Sequence, residues 1–322
     1  MKRYYPLLRR EAIRLAGPIG ILVIAVISYL GNFGSDISAE IKTFEAHGMS
    51  YFITHPSNFL LEYYILFALL LGMILGIVQH IPERSAQNAL YWEMLPYSRW
   101  EKMLVKTMCA MVPVALLCMI GYRGVHGIVS LHADGIAKLN SVMSSDGRLD
   151  NLLRADRLMV HWISLFVGAF TGYALTCVLC QIFAHWWRAA VVGIGIFCLL
   201  AEFNIYSVGG ILYWQTVIDG RETWLTARDA MNAVPVVAVS LLAAAGMIFA
   251  AFILERKRPF ERTGMALYWP QMQGYVCAAI VVLSMIGTVR WSHISPVIYV
   301  PCVAALTLIL PFDVPKFLRF RK

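Results

Sequence analysis

The chain has 322 residues, of which 59% are apolar and only 14% are charged, whereas soluble domains carry roughly 25% charged residues. Its mean hydropathy of +0.66 implies more apolar surface than a water-soluble protein of this length can bury, which excludes that class and predicts a membrane protein. The formal net charge of +8 is interpreted as a topology signal, because no basic groove or RNA motif suggests a nucleic-acid partner.

Eight apolar segments approach the length of about 20 residues that a helix needs to cross a bilayer. They lie at residues 13–33, 59–79, 104–122, 160–182, 189–208, 234–254, 274–290 and 295–312. The last two are short and contain proline, so their ends are the least well defined. The sequence therefore predicts an all-α polytopic membrane protein with about eight transmembrane helices.

The distribution of basic residues predicts the orientation of these spans. With the N-terminus inside, the inner segments hold most of the 27 lysines and arginines, and the outer loops hold most of the acidic residues. Positive charge is enriched in cytoplasmic loops, so we expect both termini in the cytoplasm and the chain in the cytoplasmic membrane of a bacterium. The first apolar run lacks a small-residue cleavage site, and we expect no cleaved signal peptide.

The first span is preceded by RYYPLLRREAIRLA, residues 3–16. A basic, aromatic and partly apolar segment is expected to lie in the membrane interface with its arginines toward anionic lipid headgroups. An ordinary positively charged flank is the alternative.

The orientation leaves three outer loops, at residues 34–58, 123–159 and 209–233. Loop 123–159 has helix-like apolar spacing, with Ile136, Leu139 and Val142 on one face. We expect a small helical outer cap there, since the loop is too short for a core of its own.

Glu62 and Glu202 fall in the outer parts of the second and fifth spans. Acidic groups inside a membrane are costly and often functional. These two could line a polar substrate path or bind a cation, or they could reach the outer headgroups.

Cysteines and glycines in the spans suggest packing. All seven cysteines fall in apolar stretches, so we expect no disulfides, and Cys177-x-x-Cys180 is interpreted as a helix-packing pair, since redox or metal chemistry would need exposure and further ligands. The outer-loop histidines lack ligand spacing, so no metal site is expected. Gly72-x-x-x-Gly76 and Gly168-x-x-x-Gly172 allow two helices to approach closely.

The inner segment ERSAQNALYWEMLPYSRWEK, residues 83–102, separates the second and third spans. Glu83 and Ser85 can begin a helix, Pro96 with Tyr97-Ser98 ends it, and Arg99 begins the next span. The alternative interpretation is that this segment is a solvated loop that binds no partner.

This segment resembles the first inner loop of type-2 ABC export permeases (the ABC-2 family), in which a Glu, a short helix, "LL-x-P-x-SR" and a downstream Lys follow the second span. The match rests on Glu83, Leu95, Pro96, Ser98, Arg99 and Lys106. Where the family often has Gly-Thr within the helix, this chain has Asn88-Ala89. Residues 255–270 are similar to the "R-x-x-E-x-x-G" stretch of the subgroup with an additional C-terminal transmembrane hairpin, through Arg258, Glu261 and Gly264.

The resemblance implies the type V permease fold of type-2 ABC exporters, with an N-terminal interfacial elbow helix and a cytoplasmic coupling helix. It divides the chain into a six-helix domain, 1–254, and a second inner loop with the C-terminal hairpin, 255–322. It implies that residues 209–224 dip back into the outer leaflet, with a plain outer loop as the alternative. The residues that it assigns to ATPase coupling are Glu83, Arg84, Ala89, Leu90, Trp92, Glu93, Pro96, Ser98, Arg99, Arg258, Glu261 and Gly264.

The function implied is a permease subunit that exports an amphiphile such as a lipid, a peptide or a lipid-linked compound. The sequence contains no G-x-x-x-x-G-K-[ST] phosphate-binding loop, so ATP and Mg²⁺ are expected on separate cytoplasmic ABC ATPase subunits, and this chain is expected to bind no cofactor and to be no enzyme itself. A second permease, identical or related, and membrane lipids are the other expected partners.

Two functions of other classes remain open. An intramembrane enzyme acting on lipid-linked substrates would have Glu62, Glu202 and His161 as its only candidate catalytic groups. An ion-driven secondary transporter would usually show internal repeats, and none is recognisable in the sequence.

Overall fold

The computed structural model describes residues 4–47, 62–81, 94–142, 155–183, 186–202, 217–218, 221–222 and 227–257. These residues form helices and one pair of two-residue strands: α1 (Tyr5–His47), α2 (Glu62–His80), α3 (Arg99–Leu131), α4 (Ala133–Val142), α5 (Ala155–Ile182), α6 (Trp186–Glu202), β1 (Val217–Ile218), β2 (Arg221–Glu222) and α7 (Ala227–Lys257).

Four of the helices are long and apolar enough to cross a membrane, at Tyr5–Ala46, Arg99–Leu131, Trp162–Ile182 and Val237–Lys257. Shorter apolar helices cover Phe67–His80 and Trp187–Phe197. Together they coincide with the first six predicted spans, whereas spans 274–290 and 295–312 lie outside the described residues. The chain is thus a predominantly helical, multi-pass membrane protein in the part that the structure describes.

Helix α1 is longer than the sequence predicted. The sequence predicted a span at residues 13–33 followed by an outer loop from residue 34, whereas the helix continues to His47. Phe33, Ile37, Ile41 and Phe44 follow one another at helical spacing and join one apolar cluster with Val125, Ile136 and Trp162. Because this row of apolar side chains packs on other helices, α1 continues beyond residue 33, where the average hydropathy of the sequence becomes lower.

The predicted interfacial elbow helix is also absent from the described part of the chain. Residues from Tyr5 to Arg14 are the first turns of α1 and show no break from the span that follows. Leu7, Glu11 and Leu15 are buried at 2% exposure or less. One side of this segment therefore packs into the bundle, and α1 is one continuous helix from Tyr5.

The segment predicted as an outer cap is helical in its described part. Helix α3 runs on to Leu131 and α4 covers Ala133–Val142, so the predicted loop 123–159 begins as helix. Ile136 is buried against α1, Ser38 Oγ lies 3.0 Å from His132 Nε2, and Lys138 lies 3.6 Å from Glu45 across the two helices. Residues 143–154 lie outside the described part.

Within the segment 209–224, the residues described are β1 and β2, which pair antiparallel, Val217 opposite Glu222 and Ile218 opposite Arg221. Asp219-Gly220 separates them in the sequence, a dipeptide that favours a two-residue hairpin turn. These four residues are therefore extended and not part of a re-entrant helix; the rest of the segment is outside the described residues.

Helix α5 is the centre of the bundle. It packs most extensively on α2 and α7 and also contacts α3 and α6. Tyr173, Ala174, Cys177 and Cys180 on it are fully buried, and neither cysteine forms a disulfide bond. The packing role expected for Cys177 and Cys180 is confirmed, as each belongs to an apolar cluster.

The backbones of α2 and α5 are in direct contact at their glycines. A Cβ added to Gly72 would overlap the carbonyl group of Ala169, and one added to Gly172 would overlap that of Leu69. A Cβ on Gly76 would lie 2.9 Å from Thr176 Cβ. The predicted close approach is confirmed for Gly72, Gly76 and Gly172, which all lie at the contact between α2 and α5.

We predict that Gly72→Ala or Gly172→Ala lowers the free energy of unfolding by about 1–3 kcal/mol, the usual cost of overpacking. The added Cβ would overlap a backbone carbonyl, which cannot move aside as a flexible side chain can. Thermal unfolding of the detergent-solubilised protein measures this. Gly246→Ala on α7 is the matched control, because a Cβ there meets nothing within 4 Å. Equal stability of the Gly72 and Gly246 variants would contradict the backbone contact.

Candidate functional site

Five helix ends meet at one end of the bundle, which we call the basic end: the starts of α1 and α3 and the ends of α2, α5 and α7. Leu7 near the start of α1 packs on Val105 near the start of α3. Gln79 at the end of α2 donates to the Lys106 carbonyl at 3.0 Å, and Arg99 of α3 donates to the Glu255 carbonyl of α7 at 2.8 Å. The start of α1, the end of α2 and the start of α3 are therefore on one side, as alternating spans require.

Helix α3 begins with a complete capping box at this end. Ser98 has an extended backbone conformation and its hydroxyl accepts from the Glu101 N–H at 3.2 Å, while the Glu101 carboxylate accepts from the Ser98 N–H at 2.7 Å. The reciprocal bonds satisfy two backbone donors that a helix start otherwise leaves unpaired. The box holds the start of α3 at a defined residue, directly after the turn that follows the predicted coupling segment.

The turn before Ser98 is packed against α1. Leu95 and Tyr97 join the cluster of Leu7 and Val105, and the Tyr97 N–H donates to the Leu95 carbonyl at 2.7 Å. The ring of Tyr4 lies 6.0 Å from that of Tyr97, and its hydroxyl donates to Glu101. The described end of the predicted coupling segment is therefore anchored to α1 as well as to α3.

Arg99 connects this turn to the end of α7. Its Nη1 donates to the Glu255 carbonyl at 2.8 Å and to the Arg256 carbonyl at 3.1 Å. A cation at the last carbonyls of a helix is favourable, because those groups lack partners within the helix and carry the negative end of its dipole. The adjacent Trp100 packs edge-on against Phe252 at 4.3 Å between ring centroids.

These contacts form one unit, which we call the Ser98 junction: Tyr4 directly before α1, Leu7 from α1, Leu95 to Glu101, and Phe252, Glu255 and Arg256 from α7. The junction joins the described residues of the two segments that resemble type-2 ABC permeases, 83–102 and 255–270. Pro96, Ser98 and Arg99 lie in it. Glu83, Arg84, Ala89, Leu90, Trp92, Glu93, Arg258, Glu261 and Gly264 lie outside the described residues.

A buried polar cluster lies directly beneath the junction. The Tyr173 hydroxyl donates to Gln79 Oε1 at 2.8 Å, and Gln79 in turn donates to the Lys106 carbonyl. Tyr173 and Gln79 are fully buried. A hydrogen-bonded chain thus crosses from α5 through α2 to α3 in a place where polar groups without partners would be costly.

Charged side chains are buried around this chain of bonds. Glu11, Lys102 and Lys106 are at most 3% exposed, and Glu11 forms an ion pair with Arg14 at 2.8 Å. Charges inside a membrane protein face the bundle interior and pair there. This ion pair lies within α1, while Lys102 and Lys106 are positive charges buried on α3.

The two acids proposed for a substrate path are at helix ends. Glu62 is the first residue of α2 and Glu202 is the last residue of α6, and their side chains, like that of His161, lie outside the described part. Among the described residues, no group of three or more His, Cys, Asp or Glu side chains could hold a metal ion.

Sequence reasoning missed most of the junction and the polar cluster. Ser98-x-x-Glu101 is a capping-box pattern, so Glu101 could have been recognised. Glu11 and Arg14 have the i, i+3 spacing of a helical ion pair. Tyr4, Gln79 and Tyr173 carried no sequence signal, because their partners are distant in the chain.

Comparison of the chain with protein-family models, with curated proteins and with solved structures finds no match in any of the three.

We predict that Tyr173→Phe lowers the free energy of unfolding by about 1–2 kcal/mol, because Gln79 Oε1 then stays buried without its donor. Tyr5→Phe is the matched control, since Tyr5 is 64% exposed. Thermal unfolding of the solubilised protein is the measurement.

A double-mutant cycle with Gln79→Leu sharpens this test. If the two side chains interact, the double variant loses less stability than the sum of the single variants. Strictly additive losses would show that the Tyr173–Gln79 bond does not contribute.

Proposed function

We propose that this chain is the membrane subunit of an ATP-driven exporter of the type-2 ABC class. The observation that carries the proposal is the pair of hydrogen bonds from Arg99 to the carbonyls of Glu255 and Arg256, which we call the Arg99 bridge. It connects the end of the first motif, at Ser98-Arg99, to the residues just before Arg258 of the second motif. Both motifs belong to segments that such a permease presents to its ATPase. Their attachment to one rigid junction supports a common mechanical role.

The junction provides a route for movement into the bundle. A force on the segment ending at Ser98 acts on α3 through the capping box, on α7 through Arg99 and on α1 through Leu7 and Tyr4. The hydrogen-bonded chain of Lys106, Gln79 and Tyr173 extends this linkage to α2 and α5. All five helices would therefore respond together.

The source of that force must be another chain. The sequence contains no phosphate-binding loop, so ATP and Mg²⁺ belong to cytoplasmic ATPase subunits that dock on Glu83, Arg84, Ala89, Leu90, Trp92 and Glu93, with Arg258, Glu261 and Gly264 on the second loop. In this proposal the basic end faces the cytoplasm, two permease chains pair, and an amphiphile is exported. The enrichment of Lys and Arg at this end supports the orientation.

We predict that Glu83→Lys, Arg84→Glu or Ala89→Pro uncouples ATP hydrolysis from export while the spans remain inserted. Charge reversal opposes docking, and proline breaks a helix at a cost of about 3 kcal/mol. The measurement is copurification of a Walker-motif ATPase with the tagged chain, followed by ATPase assays in proteoliposomes. If the wild-type chain captures no such ATPase, the proposed function is wrong.

We predict a different defect for Arg99→Gln, which leaves the docking residues intact but removes the bridge to α7. The ATPase should still copurify, and the stimulation of its activity by the permease should fall severalfold. Arg123→Gln is the matched control, because Arg123 is exposed on the same helix, about 36 Å away at 1.5 Å per residue. Equal behaviour of the two variants would contradict a coupling role for the bridge.

A further inference from the structure

A histidine joins helix α1 to the corner between α3 and α4. His132 is the residue between these two helices. Its Nε2 lies 3.0 Å from Ser38 Oγ on α1, and its Nδ1 lies 2.9 Å from the carbonyl oxygen of Ile128 on α3. Beside this polar contact, Ile37 of α1 and Ile136 of α4 belong to one buried apolar cluster. The contact therefore connects elements that are already packed together.

Water can reach this contact. Helix α3 begins at the basic end and ends directly before His132, so the contact lies at the opposite end of the bundle. The side chains of His132 and Ser38 are only half-buried, and Asp36 on α1 and Asp134 and Lys138 on α4 are exposed charged residues. Exposed charges are costly in hydrocarbon, so the imidazole can exchange protons with the aqueous phase at this end.

The position of Nδ1 defines one proton of the imidazole. A carbonyl oxygen can only accept a hydrogen bond, so Nδ1 carries a hydrogen and donates it to Ile128. In the neutral ring the other nitrogen, Nε2, then has no hydrogen and is an acceptor. A neutral His132 can therefore bond to Ser38 only by accepting from the Ser38 hydroxyl.

The Ser38 hydroxyl has a second acceptor within reach. Its Oγ donates to the Gly34 carbonyl, one turn earlier on α1, at 2.9 Å. A serine hydroxyl has one hydrogen, so it cannot donate to Gly34 and to the imidazole at the same time. All three contacts are hydrogen bonds together only when Nε2 also carries a hydrogen and donates it to Ser38 Oγ, and the imidazole is then a cation.

We propose that His132 is a pH-sensitive joint, which holds α1 more tightly to the corner of α3 and α4 when its imidazole is protonated by the adjacent water. In the protonated form Nδ1–H donates to Ile128, Nε2–H donates to Ser38, and the Ser38 hydroxyl donates to Gly34. Loss of the proton removes one of these bonds, because the single Ser38 hydrogen then serves either Gly34 or the bare nitrogen. This inference does not depend on the proposed export function.

The charged neighbours of His132 leave histidine as the group that responds near neutral pH. Carboxylates and lysines titrate outside the interval of about pH 5–8 in which histidine changes its charge. The described side chains of α5 carry no charge at this end. The charged and titratable side chains described on the other elements that meet here are Asp36, Lys42 and Glu45 of α1, Arg123 and His126 of α3, and Asp134 and Lys138 of α4.

The test is hydrogen–deuterium exchange of the full-length chain in nanodiscs at pH 5.5 and at pH 8, with each rate divided by the intrinsic rate of the unfolded peptide at that pH. Peptides covering residues 34–47 and 128–142 should be about fivefold better protected at pH 5.5, the ratio expected for one hydrogen bond. Peptides from the buried centre of α5 should show no such rise. Equal protection of the first two segments at both pH values would overturn the proposal.

Two variants test the residues of the joint. His132→Gln removes the titrating group, and Ser38→Ala removes the acceptor of Nε2–H while it keeps the imidazole, so both should lose the rise in protection at pH 5.5. Ser35→Ala is the matched control for the serine, because Ser35 is exposed and donates to the Asn32 carbonyl of its own helix. His126→Gln is the control for the histidine, since His126 is exposed on α3. Both controls should keep the rise.

The ratio between the two pH values separates this role from a merely structural one. A variant that only weakens packing lowers protection by the same factor at both pH values and leaves the ratio unchanged. Retention of the full ratio in Ser38→Ala would therefore overturn the hydrogen-bond mechanism. Its loss in His126→Gln together with its retention in His132→Gln would show that a different histidine responds, which would also overturn the proposal.

Discussion

Contact between the backbones of α2 and α5 sets the arrangement of the bundle. With glycine at positions 72 and 172, carbonyl groups of each helix occupy the space that a side chain would fill on the other. The register fixed in this way puts Tyr173 beside Gln79, and Gln79 beside the Lys106 carbonyl.

Polar and apolar groups are divided between the two ends of the bundle. At the basic end, buried charges and hydrogen bonds join five helices, and each such bond is strengthened by the low dielectric around it. Farther along the bundle, α1, α2, α3 and α5 line an apolar cavity of about 120 Å³. Phe33, Val125 and Trp162 belong to a buried apolar cluster that packs α1, α3 and α5 together toward the other end.

Hydropathy along the sequence predicted the positions of the four helices that are long enough to cross a membrane and of the two shorter apolar helices. It failed at the ends of α1 and α3, because helices continue wherever one stripe packs on protein, and average hydropathy does not detect that stripe. Glycine pairs were visible, but their mutual contact was not, as it joins residues about 100 positions apart. The sequence could not predict the partners of Arg99, because Glu255 and Arg256 accept its hydrogen bonds through backbone carbonyls, which every residue has.

Helix α1 has 43 residues, which at 1.5 Å per residue gives a length of about 64 Å, twice the roughly 30 Å of a bilayer core. Its last turns carry Asp36, Lys42 and Glu45 and pack with the end of α3 and with α4. A helix of this length extends beyond a single bilayer core. A tilt of a few degrees at Leu7 would move His47 by several ångströms, so a small displacement at the start of α1 becomes a larger one at its other end.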